Sequence, residues 1–152
     1  MKTIVISDTS CLIILSKIDL LNILPALFGE IWITEEVKNE FGEELPDWVI
    51  IKKAETAETT KILALNVDRG EASAMALYLE QSEEALLVID ERKGRLIATD
   101  LGIKIIGTLG IIFKAKEKGL IKNMQNVINR LEQTDFRLSP LLKNQMLEKV
   151  EE

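Results

Sequence analysis

One short stretch, residues 85–89, constrains the fold more than any other part of the chain. It reads Ala-Leu-Leu-Val-Ile with no polar residue among the apolar ones, which is the pattern of a parallel strand covered on both faces. A run of strong helix formers begins at Glu71 and precedes this strand, and Asp90 follows it directly. Because ligands bind beyond the carboxyl ends of the strands in open α/β sheets, Asp90 lies where a site is expected.

The first strand repeats this arrangement. Residues 3–7 form an apolar segment that ends at Asp8. Further strands are predicted at 31–33, 47–51 and 103–106. Strands and helices alternate without an obvious linker, which predicts an α/β fold with a mainly parallel central sheet. We expect a single domain over residues 1–152, with a C-terminal helical extension at approximately 122–152.

The absence of histidine from these 152 residues limits the kinds of active site that the chain can form. It excludes a Ser-His-Asp triad, a Cys-His pair and any metal site with a histidine ligand. The single cysteine, Cys11, excludes an intramolecular disulfide and a cysteine-rich zinc cluster. Catalysis would therefore depend on carboxylates, hydroxyls, lysine, arginine or a hard metal ion.

The same composition bears on the compartment. No apolar run approaches the roughly 20 residues that span a bilayer, and the N-terminal apolar segment meets Asp8 too soon for a signal peptide. A single cysteine fits a reducing compartment. We therefore expect a cytoplasmic protein that has no contact with a membrane.

Four acids are the candidate catalytic and metal-binding residues. Asp8 and Asp90 follow predicted strands, and two glutamates, Glu40 and Glu71, lie on helices that flank such strands. Carboxylates brought together repel one another unless a cation joins them, and an all-oxygen ligand set selects Mg²⁺ or Mn²⁺. Such an ion polarises a phosphate and lowers the pKa of bound water, which is the chemistry of metal-assisted phosphodiester hydrolysis.

Each of these acids also has a simpler explanation. Asp8 and Asp90 can cap the helices that follow them, and Glu71 can be a first-turn acid that favours the helix dipole. Glu40 can face solvent, as most helical glutamates do. Residues 107–110 contain two glycines but no phosphate-loop motif, and they are interpreted as a turn.

The net charge of −6 argues at first against a nucleic-acid partner. Residues 91–130, however, contain nine Lys or Arg and three acids. This asymmetry is compatible with a phosphate-contacting face, and equally with a solvated lysine-rich surface. The candidate substrate-binding residues are Ser10, Arg92, Lys93 and Arg95.

Five pieces of the chain carry a resemblance to a known family. They are ISDTSCLI at 6–13, ITEEVKNEF at 33–41, DRGEASAMAL at 68–77, LLVIDERKGRLIA at 86–98 and GIKIIGTLGII at 102–112. In order and spacing they resemble the PIN-domain family, in the subgroup of small prokaryotic proteins close to the VapC-type toxin ribonucleases of toxin–antitoxin pairs.

The resemblance implies a three-layer α/β/α fold and Mg²⁺- or Mn²⁺-dependent cleavage of RNA by a carboxylate cluster. By position, that cluster consists of Asp8, Glu40, Glu71 and Asp90. Many PIN toxins have aspartate at the third position, where this chain has Glu71. Typical toxins also have an aspartate-phenylalanine pair after the fourth strand, whereas Asp90 is followed by Glu91.

The function expected from this resemblance is a metal-dependent endoribonuclease, a hydrolase that is the toxin component of a toxin–antitoxin pair. The alternative is a catalytically inactive PIN-like module that holds RNA or a protein partner. An antitoxin partner and a homodimer are further implications. Basic residues at 92–95 are expected at the rim of the acidic site, where they would guide RNA phosphates.

Apolar faces are expected on the helices outside the core motifs. A helix at 55–66 is expected to turn Ile62, Leu63 and Leu65 inward. Two amphipathic helices at 122–133 and 140–150 should either cap the domain or meet another chain. Their apolar residues are Met124, Val127, Ile128, Leu131, Leu142, Met146 and Val150.

Overall fold

In the computed structural model, which describes residues 3–149, the strands form one five-stranded parallel sheet. They are β1 (Ile4–Ser7), β2 (Ile31–Ile33), β3 (Val49–Ile51), β4 (Ala85–Val88) and β5 (Ile105–Ile106). Their order across the sheet is β3-β2-β1-β4-β5, and every neighbouring pair is parallel. The chain builds outward from β1 in one direction and later from β4 in the other. The boundary between β1 and β4 is therefore the topological switch point, where α/β sheets bind ligands.

Helices connect the strands and cover the sheet. They are α1 (Thr9–Lys17), α2 (Ile23–Phe28), α3 (Glu35–Phe41), α4 (Ala57–Leu63), α5 (Arg69–Leu79), α6 (Arg92–Asp100), α7 (Thr108–Glu117), α8 (Met124–Glu132) and α9 (Pro140–Lys149). One hydrophobic cluster, the α1–α8 cluster, contains buried residues of α1, α2, α7 and α8. A second, the α5–α6 cluster, contains buried residues of α5 and α6. Over residues 3–149, no helix combines the length and the apolar character needed to cross a membrane.

The two clusters lie on opposite faces of the sheet. In β4, Leu87 packs into the α5–α6 cluster and Val88 into the α1–α8 cluster. Successive side chains of a strand point to opposite faces, so a strand covered on both sides needs apolar residues at consecutive positions. The apolar run at 85–89 meets that need, and the predicted three-layer α/β/α fold is confirmed.

Two glycines lie inside helices, contrary to the sequence-based expectation. Helix α5 begins at Arg69, so Gly70 lies inside its first turn and does not interrupt it. Helix α7 begins at Thr108, so Gly110, which was interpreted as part of a turn, is helical. A Cβ at residue 110 would lie 2.8 Å from Cγ1 of Ile106. The close packing of α7 on β5 thus explains why residue 110 is a glycine although it lies in a helix.

The C-terminal helices pack on the chain's own core. Met124, Val127, Ile128 and Leu131 of α8 are all buried in the α1–α8 cluster. Met146 of α9 is buried in the same cluster, whereas Val150 lies outside the described residues. Of the two expectations for this part of the chain, the structure shows the one in which these side chains cap the domain.

Candidate active site

Asp8 lies directly after β1 and is only 1% exposed. Its Oδ1 accepts a hydrogen bond of 3.2 Å from the backbone N–H of Cys11, so Asp8 caps α1. Its Oδ2 accepts a longer bond, 3.4 Å, from the backbone N–H of Asp90. Burial, and after it the charge of Asp90, raises the pKa of Asp8 to about 7. Asp8 is therefore both a helix cap and a perturbed acid at the edge of the sheet.

Asp90 lies just beyond β4 and is held by the residue that begins α7. The backbone N–H of Thr108 donates to Oδ1 of Asp90 at 2.7 Å, and the Thr108 hydroxyl donates to Oδ2. Asp90 does not cap the helix that follows it. That cap is Glu91, whose Oε2 accepts a 2.9 Å bond from the backbone N–H of Gly94.

Glu71 lies in the first turn of α5 and is 6% exposed. The cap of that helix is Asp68, whose Oδ1 accepts a 2.8 Å bond from the backbone N–H of Glu71. Burial raises the pKa of Glu71 to about 8, with further contributions from the charges of Asp68, Glu91 and Asp8. Within the described part of the chain, Oε2 of Glu71 is buried without a hydrogen-bond partner. An orphaned, buried carboxyl oxygen favours either a bound proton or a cation.

The close approach of α6 to Glu71 depends on Gly94. A Cβ at residue 94 would lie 2.7 Å from Oε2 of Glu71 and 2.8 Å from Cδ1 of Ile89. Both distances are shorter than real contacts of a Cβ atom, so a larger residue would move α6 or the carboxyl group. Gly94 thus sets the distance between the start of α6 and the acids.

Glu40, in α3, is exposed, but its carboxyl group is tied to two other helices. Its Oε1 accepts a 2.5 Å bond from the hydroxyl of Thr9, and its Oε2 accepts a 3.0 Å bond from the backbone N–H of Gly70. A Cβ at residue 70 would overlap the Glu40 carboxyl group, 2.8 Å from its Cδ. Thr9 follows Asp8 and Gly70 precedes Glu71, so Glu40 bridges the starts of α1 and α5.

Three of the four candidate acids influence one another directly. The charge of Asp90 acts on Asp8, and the charge of Asp8 acts on Glu71. Glu40 contacts the sequence neighbours of Asp8 and Glu71. The charge of Glu40 is not among the causes that raise the pKa of Asp8 or of Glu71. The structure therefore brings Asp8, Glu71 and Asp90 together, with Glu40 holding the helices beside them.

Two further acids belong to this surface and were missed in the sequence. Asp68 raises the pKa of both Asp8 and Glu71, and Glu91 raises that of Glu71. Each is the N-cap of a helix. The spacing Asp68-x-x-Glu71 resembles a capping box, and that signal could have located Asp68 beside the site.

The candidate substrate-binding residues lie on the two helices that start beside the acids. Ser10 is exposed in the first turn of α1, and Arg92 and Lys93 are exposed in the first turn of α6. Arg95 is half-buried, and its Nη1 donates a 3.1 Å bond to the backbone oxygen of Ile89. Arg95 is thus already engaged in the structure, whereas Arg92 and Lys93 extend into solvent.

The arrangement can be compared with what a divalent cation requires. Among residues 3–149, no three acids stand together as the ready ligand set of one metal ion. Mg²⁺ does not need such a set, since it commonly keeps several waters and takes one or two carboxylates and substrate phosphates as ligands. The repulsion between Asp8 and Asp90 and the unpartnered Oε2 of Glu71 both fit a cation at this position.

Comparison with known proteins identifies the family. Neither the curated proteins nor the solved structures contain a match to this chain. A family model described as a PIN domain matches residues 4–152, which is nearly the whole chain and includes all the acids above. PIN domains have a nuclease-type fold and generally use divalent metal ions. The chain therefore belongs to the PIN-domain family.

Proposed function

We propose that this protein is a metal-dependent endoribonuclease, a hydrolase of RNA phosphodiesters that acts as the toxin of a toxin–antitoxin pair. The observation that carries the proposal is the group of Asp8, Glu71 and Asp90, in which Asp8 and Glu71 are buried and Asp90 is half-buried. Burial, and after it neighbouring negative charges, raises the pKa of Asp8 and Glu71. Acids held together against their own repulsion destabilise the metal-free chain, and a cation relieves that repulsion. Membership of the PIN family supports RNA as the substrate.

Asp8, Glu71 and Asp90 are the residues that would hold Mg²⁺ or Mn²⁺. When bound, the ion supplies a Lewis acid for a phosphate oxygen and lowers the pKa of a water molecule. The chain fixes its own acids for this task. Two backbone N–H groups orient Asp8, and the N–H and hydroxyl of Thr108 orient Asp90.

Glu71 is the acid that changes most when a cation arrives. With a pKa of about 8 it retains a proton at neutral pH in the metal-free chain. Metal ligands must be deprotonated, so Glu71 would have to lose that proton in order to hold the ion. Its buried, unpartnered Oε2 makes Glu71 one of the residues that would hold it.

We assign Glu40 a positioning role within the same site. Both of its carboxyl oxygens are occupied by donors from Thr9 and Gly70. These contacts hold the starts of α1 and α5 at a fixed distance, which in turn holds Asp8 opposite Glu71. In this proposal Glu40 contributes to catalysis through the placement of the other acids.

RNA phosphates are proposed to approach over the start of α6. Arg92 and Lys93 are exposed there, in the first turn after Glu91. Arg95 lies closer to the acids, since Nη1 of Arg95 would be 2.6 Å from a Cβ at residue 107. Ser10 offers a hydroxyl on the neighbouring helix α1.

The proposal includes a homodimer and an antitoxin as protein partners. Helix α4 and the turn after it expose two large apolar side chains, Ile62 at 64% and Leu65 at 81%. The expectation of an inward face is therefore right for Leu63, which packs against the α5–α6 cluster, and wrong for Ile62 and Leu65. The buried residue of α4 is Thr60, and Leu65 lies beyond the end of the helix. Large apolar side chains on a surface supply area for contact with another chain.

The test is a cleavage assay with purified protein, RNA and either Mg²⁺ or Mn²⁺. We expect cleavage that stops in the presence of a chelator and is lost in Asp8→Asn. Asp100→Asn, an exposed acid at the far end of α6, is the matched control and should keep full activity. Binding of RNA without cleavage under any metal would favour the alternative, an inactive PIN-like module.

A further inference from the structure

A concave surface lies at the carboxyl ends of β2 and β3, on the same edge of the parallel sheet as Asp8 and Asp90. It is a cavity of about 420 Å³ between α3, α4 and α5, and we call it the basic pocket. Its cationic residues come from three separate segments. Lys52 and Lys53 follow β3, Lys61 lies on α4, and Arg69 begins α5.

The cations of the basic pocket are largely unneutralised. Within residues 3–149, Lys53, Lys61 and Arg69 form no ion pair with an acid, and Lys52 lies over the ring of Trp32 at 4.6 Å. Four cations converge on one cavity in a chain whose net charge is −6. A concavity lined by one sign of charge attracts ligands of the opposite sign.

Two acids, Glu35 and Glu36, also line the basic pocket and offset part of this charge. Glu35 lies 4.0 Å from Lys38 and is half or more exposed. Both acids belong to α3, whereas Lys61 and Arg69 belong to α4 and α5. The positive charges therefore exceed the negative ones on the wall formed by α4 and the start of α5.

Arg69 connects the basic pocket with the acidic site. It lies between Asp68, whose charge acts on Asp8 and Glu71, and Gly70, whose N–H is bound by Glu40. The basic pocket and the acids thus share the first turn of α5. A polymer with regularly spaced anionic groups can contact the basic pocket and the acidic site at once, whereas a single small anion cannot.

We propose that the basic pocket is a phosphate-binding subsite for single-stranded RNA, which holds a nucleotide next to the bond that is cleaved. This inference rests on the proposed function, because it extends the same substrate beyond the acids. The cavity is within the range of roughly 300–1,000 Å³ typical of ligand sites, which suits one nucleotide and not a duplex. Its apolar wall, formed by Ile51, Ala54 and Ala57, offers a surface for a base or ribose.

Proteins that bind single strands combine a positive groove with surfaces on which bases lie. The basic pocket supplies the first through Lys53, Lys61 and Arg69. The acids supply the other end of the path, where the phosphate to be cleaved would lie. The substrate therefore runs from the start of α6, across the acids, to the space between α4 and α5.

The experiment measures RNA binding without cleavage. The variant Lys53→Ala/Lys61→Ala is made in an Asp8→Asn chain, and a labelled single-stranded oligoribonucleotide is titrated in a chelator over a range of salt concentrations. We expect weaker binding and a less steep dependence of log K on log salt. The slope should change by up to about 1.4, which is about 0.7 for each lost phosphate contact on a single strand.

The matched control is Lys17→Ala/Lys118→Ala, which removes the same charge. Lys17 ends α1, and Lys118 is the C-cap of α7. Both helices begin beside the acids, and each helical residue carries the chain about 1.5 Å further along the helix axis. Lys17 and Lys118 therefore lie far from the acids. This variant should keep the salt slope of its parent.

A second variant separates charge from folding. Lys53→Arg/Lys61→Arg keeps both cations and should retain the parent's affinity and slope. Unchanged RNA affinity in Lys53→Ala/Lys61→Ala, or a loss equal to that of the control, would overturn the subsite. A protein that cleaves no RNA but loses binding in the pocket variant would overturn the nuclease proposal and leave the basic pocket as an RNA-binding surface.

Discussion

The backbone N–H of Asp90 donates a hydrogen bond to Oδ2 of Asp8, although the two residues are 82 positions apart in the chain. This contact joins the ends of two neighbouring strands, β1 and β4. The two carboxyl groups are consequently held near each other, and the charge of Asp90 raises the pKa of Asp8. The same geometry that orients Asp8 thus creates the repulsion that a cation would relieve.

The metal-free protein is expected to lose stability from these acids as pH rises. Folding raises the pKa of Asp8 from 3.8 to about 7 and that of Glu71 from 4.5 to about 8. Between these values the folded chain binds more protons than the unfolded chain, so the free energy of unfolding decreases with pH. Each acid contributes at most about 1.36 kcal/mol per pH unit.

Thermal unfolding in a chelator measures this effect. The variant Asp8→Asn/Glu71→Gln removes both titrations. The melting temperature of the wild type should therefore fall relative to that of the variant as pH rises from about 4 to about 8. A difference in melting temperature that stays constant across this range would show that the two acids titrate normally.

Divalent metal should stabilise the protein, and more strongly in mildly alkaline than in mildly acidic solution. The ion binds the folded acids and not the unfolded chain, and it competes with the protons on Asp8 and Glu71. At a hundredfold excess of metal over Kd, the gain is about 2.7 kcal/mol. A thermal scan with and without Mg²⁺ or Mn²⁺ measures it, with Asp100→Asn as the control that keeps the shift. No shift in the wild type at any pH would support the inactive module.

Replacing Glu40 should loosen the site without removing a metal ligand. Glu40→Ala removes the acceptor for Thr9 and the acceptor for Gly70, so we expect a loss of about 1–3 kcal/mol and reduced activity. Glu43→Ala, just beyond α3 and exposed, is the matched control. A double-mutant cycle with Thr9→Val should give a coupling energy above zero, and additive effects would contradict the bridge.

Gly94→Ala should disturb the acids more than it disturbs the fold. The added Cβ would lie 2.7 Å from Oε2 of Glu71, so we expect weaker metal binding and less cleavage. Gly110→Ala is a control of equal size, because its Cβ would meet only the side chain of Ile106, at 2.8 Å. Calorimetric titration with Mn²⁺ distinguishes the two variants. Equal metal affinity in both would contradict the role given to Gly94.

The sequence predicts the sheet well because its strands are marked locally. Apolar runs end at Asp8 and Asp90, and the parallel pairing of β1 with β4 brings these two ends to one edge. The helix boundaries at Gly70 and Gly110 were less predictable. Helix propensity disfavours glycine, and the reason for each glycine is a contact with a residue that is distant or on another element.

The environment of Glu40 could not be predicted, since its partners lie about 30 positions away on either side. Asp68 and Glu91 resemble ordinary helix caps in the sequence, and only the folded chain shows that their charges reach Glu71. The exposure of Ile62 and Leu65 has a similar origin. A helical pattern gives the apolar residues, but the side of α4 that carries Thr60 is the one that is buried, and Leu65 lies beyond the end of the helix.

The strand order β3-β2-β1-β4-β5 also determines when the site is completed during synthesis. Asp8 leaves the ribosome first, whereas Asp90 and the Thr108 that holds it follow some hundred residues later. Closing so long a loop adds little to the entropic cost, which grows only with the logarithm of loop length, but non-local pairing slows folding. A nascent chain of this protein therefore carries its first acid long before the partners of that acid are made, and the group of acids assembles only after β4 and the start of α7 have followed.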